Sequence, residues 1–91
     1  MSQEIVFVDV VRLEGHRTPV AVLSKVGASG VQLYLKNGST FGLTLTPNIN
    51  EALPMDVSPR SRDVITTLAR ERFGVEEDMV RFNNWPEFPA D

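Results

Sequence analysis

The sequence contains no cysteine and only one histidine, one tryptophan and one tyrosine. The absence of cysteine excludes disulfide bonds, thiolate metal sites and cysteine nucleophiles. A single imidazole excludes a metal site built on several histidines. A serine nucleophile would have to use this one histidine, His16, as its base, and His16 lies in a predicted turn. We therefore predict a protein that is not an enzyme and that holds no metal and no cofactor.

Long hydrophobic runs are also missing. The longest, residues 5–8, is far shorter than the roughly 20 residues that a membrane-spanning helix needs, and the N-terminus lacks the pattern of a signal peptide. We expect a soluble, cytoplasmic protein with no membrane partner. The length of 91 residues predicts one domain over 1–91. The net charge of −3 argues mildly against a protein dedicated to coating nucleic acid.

The first half of the chain has the pattern of four strands joined by short turns. The predicted strands are residues 4–13, 18–26, 31–36 and 39–46, and residues 4–13 are apolar and β-branched at nearly every position. Strands connected in this way form an antiparallel meander.

The length of each turn decides which side chains share a face of this sheet. Four-residue turns would place Val11 opposite Val20 and Val26 opposite Val31. One face would then carry an apolar set: Ile5, Phe7, Val11, Leu13, Val20, Val22, Val26, Val31, Leu33 and Leu35. Asp9 falls on this same face, and we interpret it as a carboxylate with an arginine partner, a bulge or an edge position rather than as a functional group.

The Asn37-Gly38 pair predicts a hairpin between the last two strands. A two-residue turn would send the apolar side chains of these strands to opposite faces, and a one-residue slip exposes a whole set. We therefore favour a three-residue connection with Gly38 in the left-handed conformation, which sets Leu33 opposite Phe41 and Val31 opposite Leu43.

The second half predicts one helix. Residues 47–57 form a loop with two prolines, and Ser58-Pro59 is a typical helix start. The helix covers residues 58–73, Gly74 ends it, and one apolar stripe faces the sheet: Val64, Ile65, Leu68, Ala69 and Phe73. For residues 79–83 we favour a short edge strand over a helix or loop, and residues 84–91 form an aromatic tail with prolines. The predicted class is α+β: a four-stranded antiparallel meander covered by one C-terminal α-helix, with a short fifth edge strand.

The face of the sheet opposite the predicted core has an apolar centre and a polar rim, as protein interfaces do. The alternative is intramolecular, with the tail folded across this face or the sheet curled into a barrel. Our leading hypothesis is a non-enzymatic module that docks on a partner protein through this face, the tail or both: Val6, Val8, Val10, Leu23, Tyr34, Trp85 and Phe88. Substituting Leu23→Glu or Val8→Glu would then abolish binding and leave the fold intact.

Two further hypotheses use charged residues. Arginines of the predicted helix, Arg60, Arg62 and Arg70, would contact phosphates in a nucleic-acid-binding protein, whereas pairing with nearby acidic residues would make the same face a solvated one. The acidic run Glu76-Glu77-Asp78 would occupy a basic surface in a phage-type inhibitor of host nucleic-acid machinery, such as an anti-defence protein, and is otherwise a solvated turn. A homodimer stays open in all of these hypotheses.

Overall fold

Five strands and one helix form the described part of the chain, residues 4–38 and 44–88 of a computed structural model. The strands are β1 Val6–Val11, β2 Val20–Val26, β3 Gln32–Leu35, β4 Leu45–Thr46 and β5 Val80–Asn83, and the helix is α1 Ser61–Phe73. They make one sheet in the order β4-β3-β2-β1-β5. The α+β class is confirmed, and the sheet is mixed because β5 pairs with β1 in parallel, Val6 opposite Val80 and Val8 opposite Phe82.

The helix begins later than its sequence signal predicts. The hydroxyl of Ser58 accepts a hydrogen bond from the Ser61 N–H at 3.2 Å, and the Ser61 hydroxyl accepts one from the Ser58 N–H at 2.9 Å. These two reciprocal bonds close a turn through Pro59, so the serine cap stabilises the turn before the helix and α1 starts at Ser61. Gly74, at φ 67°, ends the helix and donates its N–H to the Arg70 carbonyl oxygen.

The pairing of β2 with β3 differs by one residue from the predicted register. Val26 lies opposite Gln32 instead of Val31, whereas β1 and β2 pair as predicted, with Val11 opposite Val20. The turn between β2 and β3 has one extra residue because the Gly27 N–H bonds to the Val31 carbonyl oxygen at 2.8 Å, around Gly30 at φ 84°. Since side chains alternate along a strand, this single residue moves all of β3 to the other face.

The helix therefore covers the opposite face from the one we predicted. With β3 shifted, that face is apolar over most of its length, and its core with the helix is Val6, Val8, Ala21, Leu23, Leu35, Ile65, Ala69, Phe73 and Val80. The other face carries the polar side chains of Asp9, Ser24 and Gln32. Covering the apolar face leaves Asp9 and Gln32 on the open one, where both bond to the buried Ser24 hydroxyl, and this arrangement has the lower desolvation cost.

Only part of the predicted apolar helix stripe is buried. Ile65, Ala69 and Phe73, spaced four residues apart, face the sheet, whereas Val64 is 68% exposed. One residue turns the helix by about 100°, so Val64 cannot share the full burial of Ile65 on a helix that rests on a single sheet.

The hairpin between β3 and β4 is wider than predicted. Leu35 lies opposite Leu45, instead of Leu33 opposite Phe41, and only Leu45–Thr46 of the predicted strand 39–46 is a described strand. Gly38 adopts φ 88°, the left-handed conformation expected for it. The predicted positions of Phe41 and Leu43 lie outside the described residues.

The segment after β4 lies beside the part of β2 that does not pair with β3. Met55 exchanges two backbone hydrogen bonds of 2.9 Å with Ala21, and the Leu53 N–H donates to the Leu35 carbonyl oxygen at 2.9 Å. A 3₁₀ turn, Ile49–Glu51, lies just before it. On the face opposite α1, a second small core forms: Leu13, Val20, Val22 and Ala52, with Val11, Tyr34 and Ile49 against it.

Candidate protein-binding site

The face of the sheet that we predicted to dock on a partner is covered by the helix. Val6 and Val8 are fully buried and Leu23 is 1% exposed, all three under α1, and Val10 shares their face of the sheet. Tyr34 lies on the opposite face and packs against the second core. The prediction that these five residues form one exposed interface is therefore wrong, and its physical reason is the one-residue shift of β3.

The other two predicted binding residues, Trp85 and Phe88, do come together. Trp85 packs edge-on against Phe82 at 5.1 Å between ring centroids, and Phe88 approaches Trp85 at 6.5 Å. Such edge-to-face pairs contribute about 0.5–1.5 kcal/mol beyond the burial of their area. The segment after β5 is thus held on the domain, although Phe88 remains 37% exposed.

The turn that folds this segment back is at Asn84. Asn84 adopts φ 58°, the only positive φ among the described residues other than glycine. Asparagine enters this left-handed region more readily than most residues, because its short polar side chain bonds locally. Asn84 therefore lets Trp85 reach back to Phe82 on the last strand.

Substitution of Asn84 tests this turn. We expect Asn84→Val to lower the free energy of unfolding by about 1–2 kcal/mol, because a β-branched residue is strained at positive φ. Asn84→Gly should stay within about 0.5 kcal/mol of the natural protein. Urea denaturation measures both, and emission from Trp85, the sole tryptophan, should shift to longer wavelength in the valine variant alone. Equal stability of the two variants would show that the left-handed turn does not hold the tail.

An arginine of the helix completes the aromatic cluster. The guanidinium carbon of Arg62 lies 4.5 Å from the centroid of the Phe82 ring. A cation over an aromatic face is attracted by about 0.5–1 kcal/mol at an exposed site. This contact holds the Arg62 side chain against the end of β5, and Arg62 and Trp85 line the same cleft.

These side chains surround an open cleft of about 710 Å³, here called the tail cleft. Its walls are aromatic rings, prolines and one arginine: Pro59, Arg62, Phe82, Trp85, Pro86 and Phe88. Glu87 supplies a carboxylate at the same cleft. The exposed lining of the tail cleft is more polar than apolar, and Arg62, Asn84 and Glu87 are its polar side chains.

A free strand edge adjoins this cleft. β5 is the last strand of the sheet and pairs only with β1. The Val80 N–H donates to the Glu77 carbonyl oxygen, and within the described residues no other backbone hydrogen bond outside the pairing with β1 reaches residues 80–83. The remaining outward N–H and C=O groups of β5 are therefore available to an added strand.

The Asp9 carboxylate lies on the open face of the sheet and has hydrogen-bond donors there. It accepts hydrogen bonds from Asn83 Nδ2 at 2.9 Å, from Gln32 Nε2 at 3.3 Å and from Ser24 Oγ at 3.4 Å. Gln32 Nε2 also donates to Ser24 Oγ at 2.9 Å. These groups come from four neighbouring strands, so the network ties β5 to β3 across the sheet and satisfies the carboxylate with amide and hydroxyl donors.

The three helix arginines of the nucleic-acid hypothesis do not share one surface. Arg62 follows Arg60 by two residues, which places it about 200° further round the helix, against Phe82. Arg70 lies on a third side. Within the described residues, none of these three arginines forms an ion pair with an acidic residue of the helix.

The acidic run lies in a surface turn at the other end of the helix. Glu77 and Asp78 belong to a 3₁₀ turn, Glu77–Met79, that Glu76 precedes, and all three acids are exposed. The Asp78 carbonyl oxygen accepts a hydrogen bond from the Arg81 guanidinium. The solvated-turn interpretation is sufficient for this geometry, and the inhibitor hypothesis stays a prediction that charge reversal of these acids would test.

Sequence reasoning found Trp85 and Phe88 but missed Phe82 and the turn between them. The available signal was the Asn83-Asn84 pair, a typical turn sequence placed between Phe82 and Trp85.

Within residues 4–38 and 44–88, no three carboxylate or imidazole side chains are grouped as metal ligands would be. None of the helices in that part of the chain has the length and apolar character needed to cross a membrane.

No protein-family model, curated protein or solved structure matches this chain.

Proposed function

We propose that this protein is a small docking module that binds an extended segment of a partner protein in the tail cleft. The observation that supports this most is the packing of Trp85 and Phe88 beside Arg62 and Phe82 around an open cleft. Aromatic rings give a large contact area at a low cost in side-chain entropy, which is why binding sites are rich in them. Here the rings are already held by one another and by Arg62.

The chemistry of the cleft favours a particular kind of segment. Aromatic and proline walls bind proline and aliphatic side chains, as grooves for proline-rich peptides do. The Arg62 guanidinium would pair with a carboxylate of the ligand, since planar donors suit carboxylates well. The free edge of β5 would hold the ligand backbone by added hydrogen bonds. We therefore expect an apolar residue next to an acidic one in an extended peptide.

Selection from a random-peptide display library, followed by calorimetry with the selected peptides, tests this proposal. We expect Trp85→Ala to weaken binding at least about tenfold, since an aromatic anchor at the centre of an interface typically contributes 2 kcal/mol or more. Arg62→Ala should weaken only those peptides that contain an acidic residue. Trp85→Phe is the matched control, because it keeps a ring against Phe82 and should keep most of the affinity.

Two outcomes would contradict the proposal. One is a set of selected peptides that bind Trp85→Ala as tightly as the natural protein, with the variant folded by circular dichroism. The other is the absence of any change in Trp85 emission on saturation, because the sole tryptophan lines the cleft and should report its occupation.

Single-stranded nucleic acid is a second candidate ligand for the same cleft. An arginine stacked on one aromatic ring beside another is an arrangement that single-strand readers use. The net charge of −3 and Glu87 in the cleft act against a phosphate backbone. Oligonucleotide binding would have to fall steeply with salt, by a slope near −0.7 per phosphate contact, to support this second function.

A further inference from the structure

The outward surface of α1 presents a regular stripe of residues, here called the outer stripe: Arg60, Val64, Thr67, Leu68 and Glu71. Their spacing of three and four residues places them on one side of the helix. Most of this side points away from the sheet, since Ile65, Ala69 and Phe73 occupy the buried side, while Leu68 at its edge is partly buried and packs against the core. Val64, at 68% exposure, is the most exposed large apolar residue in the described chain.

The outer stripe has the shape of a ridge between two shallow grooves. On one side of Val64 and Leu68, a groove of about 370 Å³ extends to Met55. On the other side, a groove of about 350 Å³ extends along Asp63 and Thr67. Helices pack by fitting the ridge of one into the groove of another. A ridge bordered by grooves is therefore complementary to a second copy of itself.

The charges along the helix decide the direction of such a contact. Arg60 and Asp63 lie near its start, and Arg70 and Glu71 lie near its end. Reversing one helix against another brings Arg60 beside Glu71 and Asp63 beside Arg70. A parallel arrangement would bring Arg60 against Arg60, which is repulsive. Within the described residues, none of these four side chains is engaged in an ion pair, so each is available to a partner.

We propose that a second copy of this chain docks on the outer stripe, with the two α1 helices antiparallel about a two-fold axis near residues 65–66. The contact is isologous, so each Arg60–Glu71 pair occurs twice and the two Val64–Leu68 ridges pack against each other's grooves. One helix face on each side is a small interface, and the dimer is accordingly weak and dependent on protein concentration. The contact leaves the tail cleft free, so it stands or falls independently of the proposed function.

Sedimentation velocity over a range of concentrations, with charge-reversal variants, tests this dimer. Arg60→Glu and Glu71→Arg each place like charges together twice, and each should weaken the dimer by about tenfold or more. The double variant Arg60→Glu/Glu71→Arg restores opposite charges and should return the dissociation constant to within about threefold of the natural value. Arg12→Glu, at an exposed arginine away from the helix, is the control for the change in net charge that Arg60→Glu makes.

Val64→Asp provides a second test that does not depend on charge pairing. It places a carboxylate at the centre of the ridge and should remove the dimer, while thermal unfolding shows that the monomer remains folded. The proposal is overturned if the natural protein is monomeric at about 1 mM, a concentration at which even contacts of about 4 kcal/mol form. It is equally overturned if a dimer forms and neither the stripe variants nor the restoring double variant changes it.

Discussion

Replacing Leu23 by glutamate should unfold the protein rather than yield a folded variant with one altered surface. Leu23 is 1% exposed and lies between the sheet and α1, in contact with the core of Val8, Leu35 and Ile65. A carboxylate at this position would have no hydrogen-bonding partner, and burying an unpaired charge costs more than most small domains can tolerate. This is the opposite of the result that the predicted docking face would give.

The milder substitution Leu23→Ala measures the same burial in a protein that still folds. We expect it to lower the free energy of unfolding by about 2–5 kcal/mol, through lost burial and the cavity left behind. Urea denaturation followed by circular dichroism gives this value. The control is Val26→Ala, three residues along the same strand and 55% exposed, which should change stability by no more than about 0.5 kcal/mol. A folded Leu23→Glu variant with an unchanged midpoint would show that the helix does not cover this face.

The second large predicted effect is a difference in the free energy of unfolding between alanine variants of two neighbouring helix residues, Ile65 and Val64. Ile65→Ala should cost about 2–5 kcal/mol, because Ile65 is 1% exposed and belongs to the same buried core as Leu23 and Val8. Val64→Ala should be neutral or raise stability by a few tenths of a kcal/mol, because alanine has the higher helix propensity and Val64 projects into solvent. Denaturation at low protein concentration keeps any self-association from contributing. Similar losses at both positions would mean that α1 is buried on two sides.

Two comparisons test which face of the sheet α1 covers. The comparison of Leu23 with Val26 tests it from the sheet, and that of Ile65 with Val64 tests it from the helix. If both predictions hold, the exposed surfaces that the described residues leave for binding include the tail cleft, the open sheet face around Asp9 and the outer stripe of the helix. Of these three, the tail cleft alone combines fixed aromatic rings, an arginine and a free strand edge.

Local sequence patterns were enough to predict the secondary-structure elements of this protein. The β-branched run in residues 4–13, the turn glycines and the Ser58-Pro59 and Gly74 signals predicted the meander and the helix, and the pairing of β1 with β2 follows from their turn. The short strand near residue 80 was also predictable, since Val80 and Phe82 alternate with polar residues after a turn. These features depend on neighbours within a few residues, where propensity and capping act.

Tertiary structure alone decided which surfaces those elements expose. One extra residue in the turn around Gly30 reversed β3, since side chains alternate with a period of two, and this exchanged the core face for the open one. The parallel pairing of β5 with β1, the contacts of Asp9 with donors from three other strands and the approach of Trp85 to Phe82 and Arg62 depend on residues far apart in the chain. Local preference does not encode such contacts, because their free energy comes from burying whole faces together.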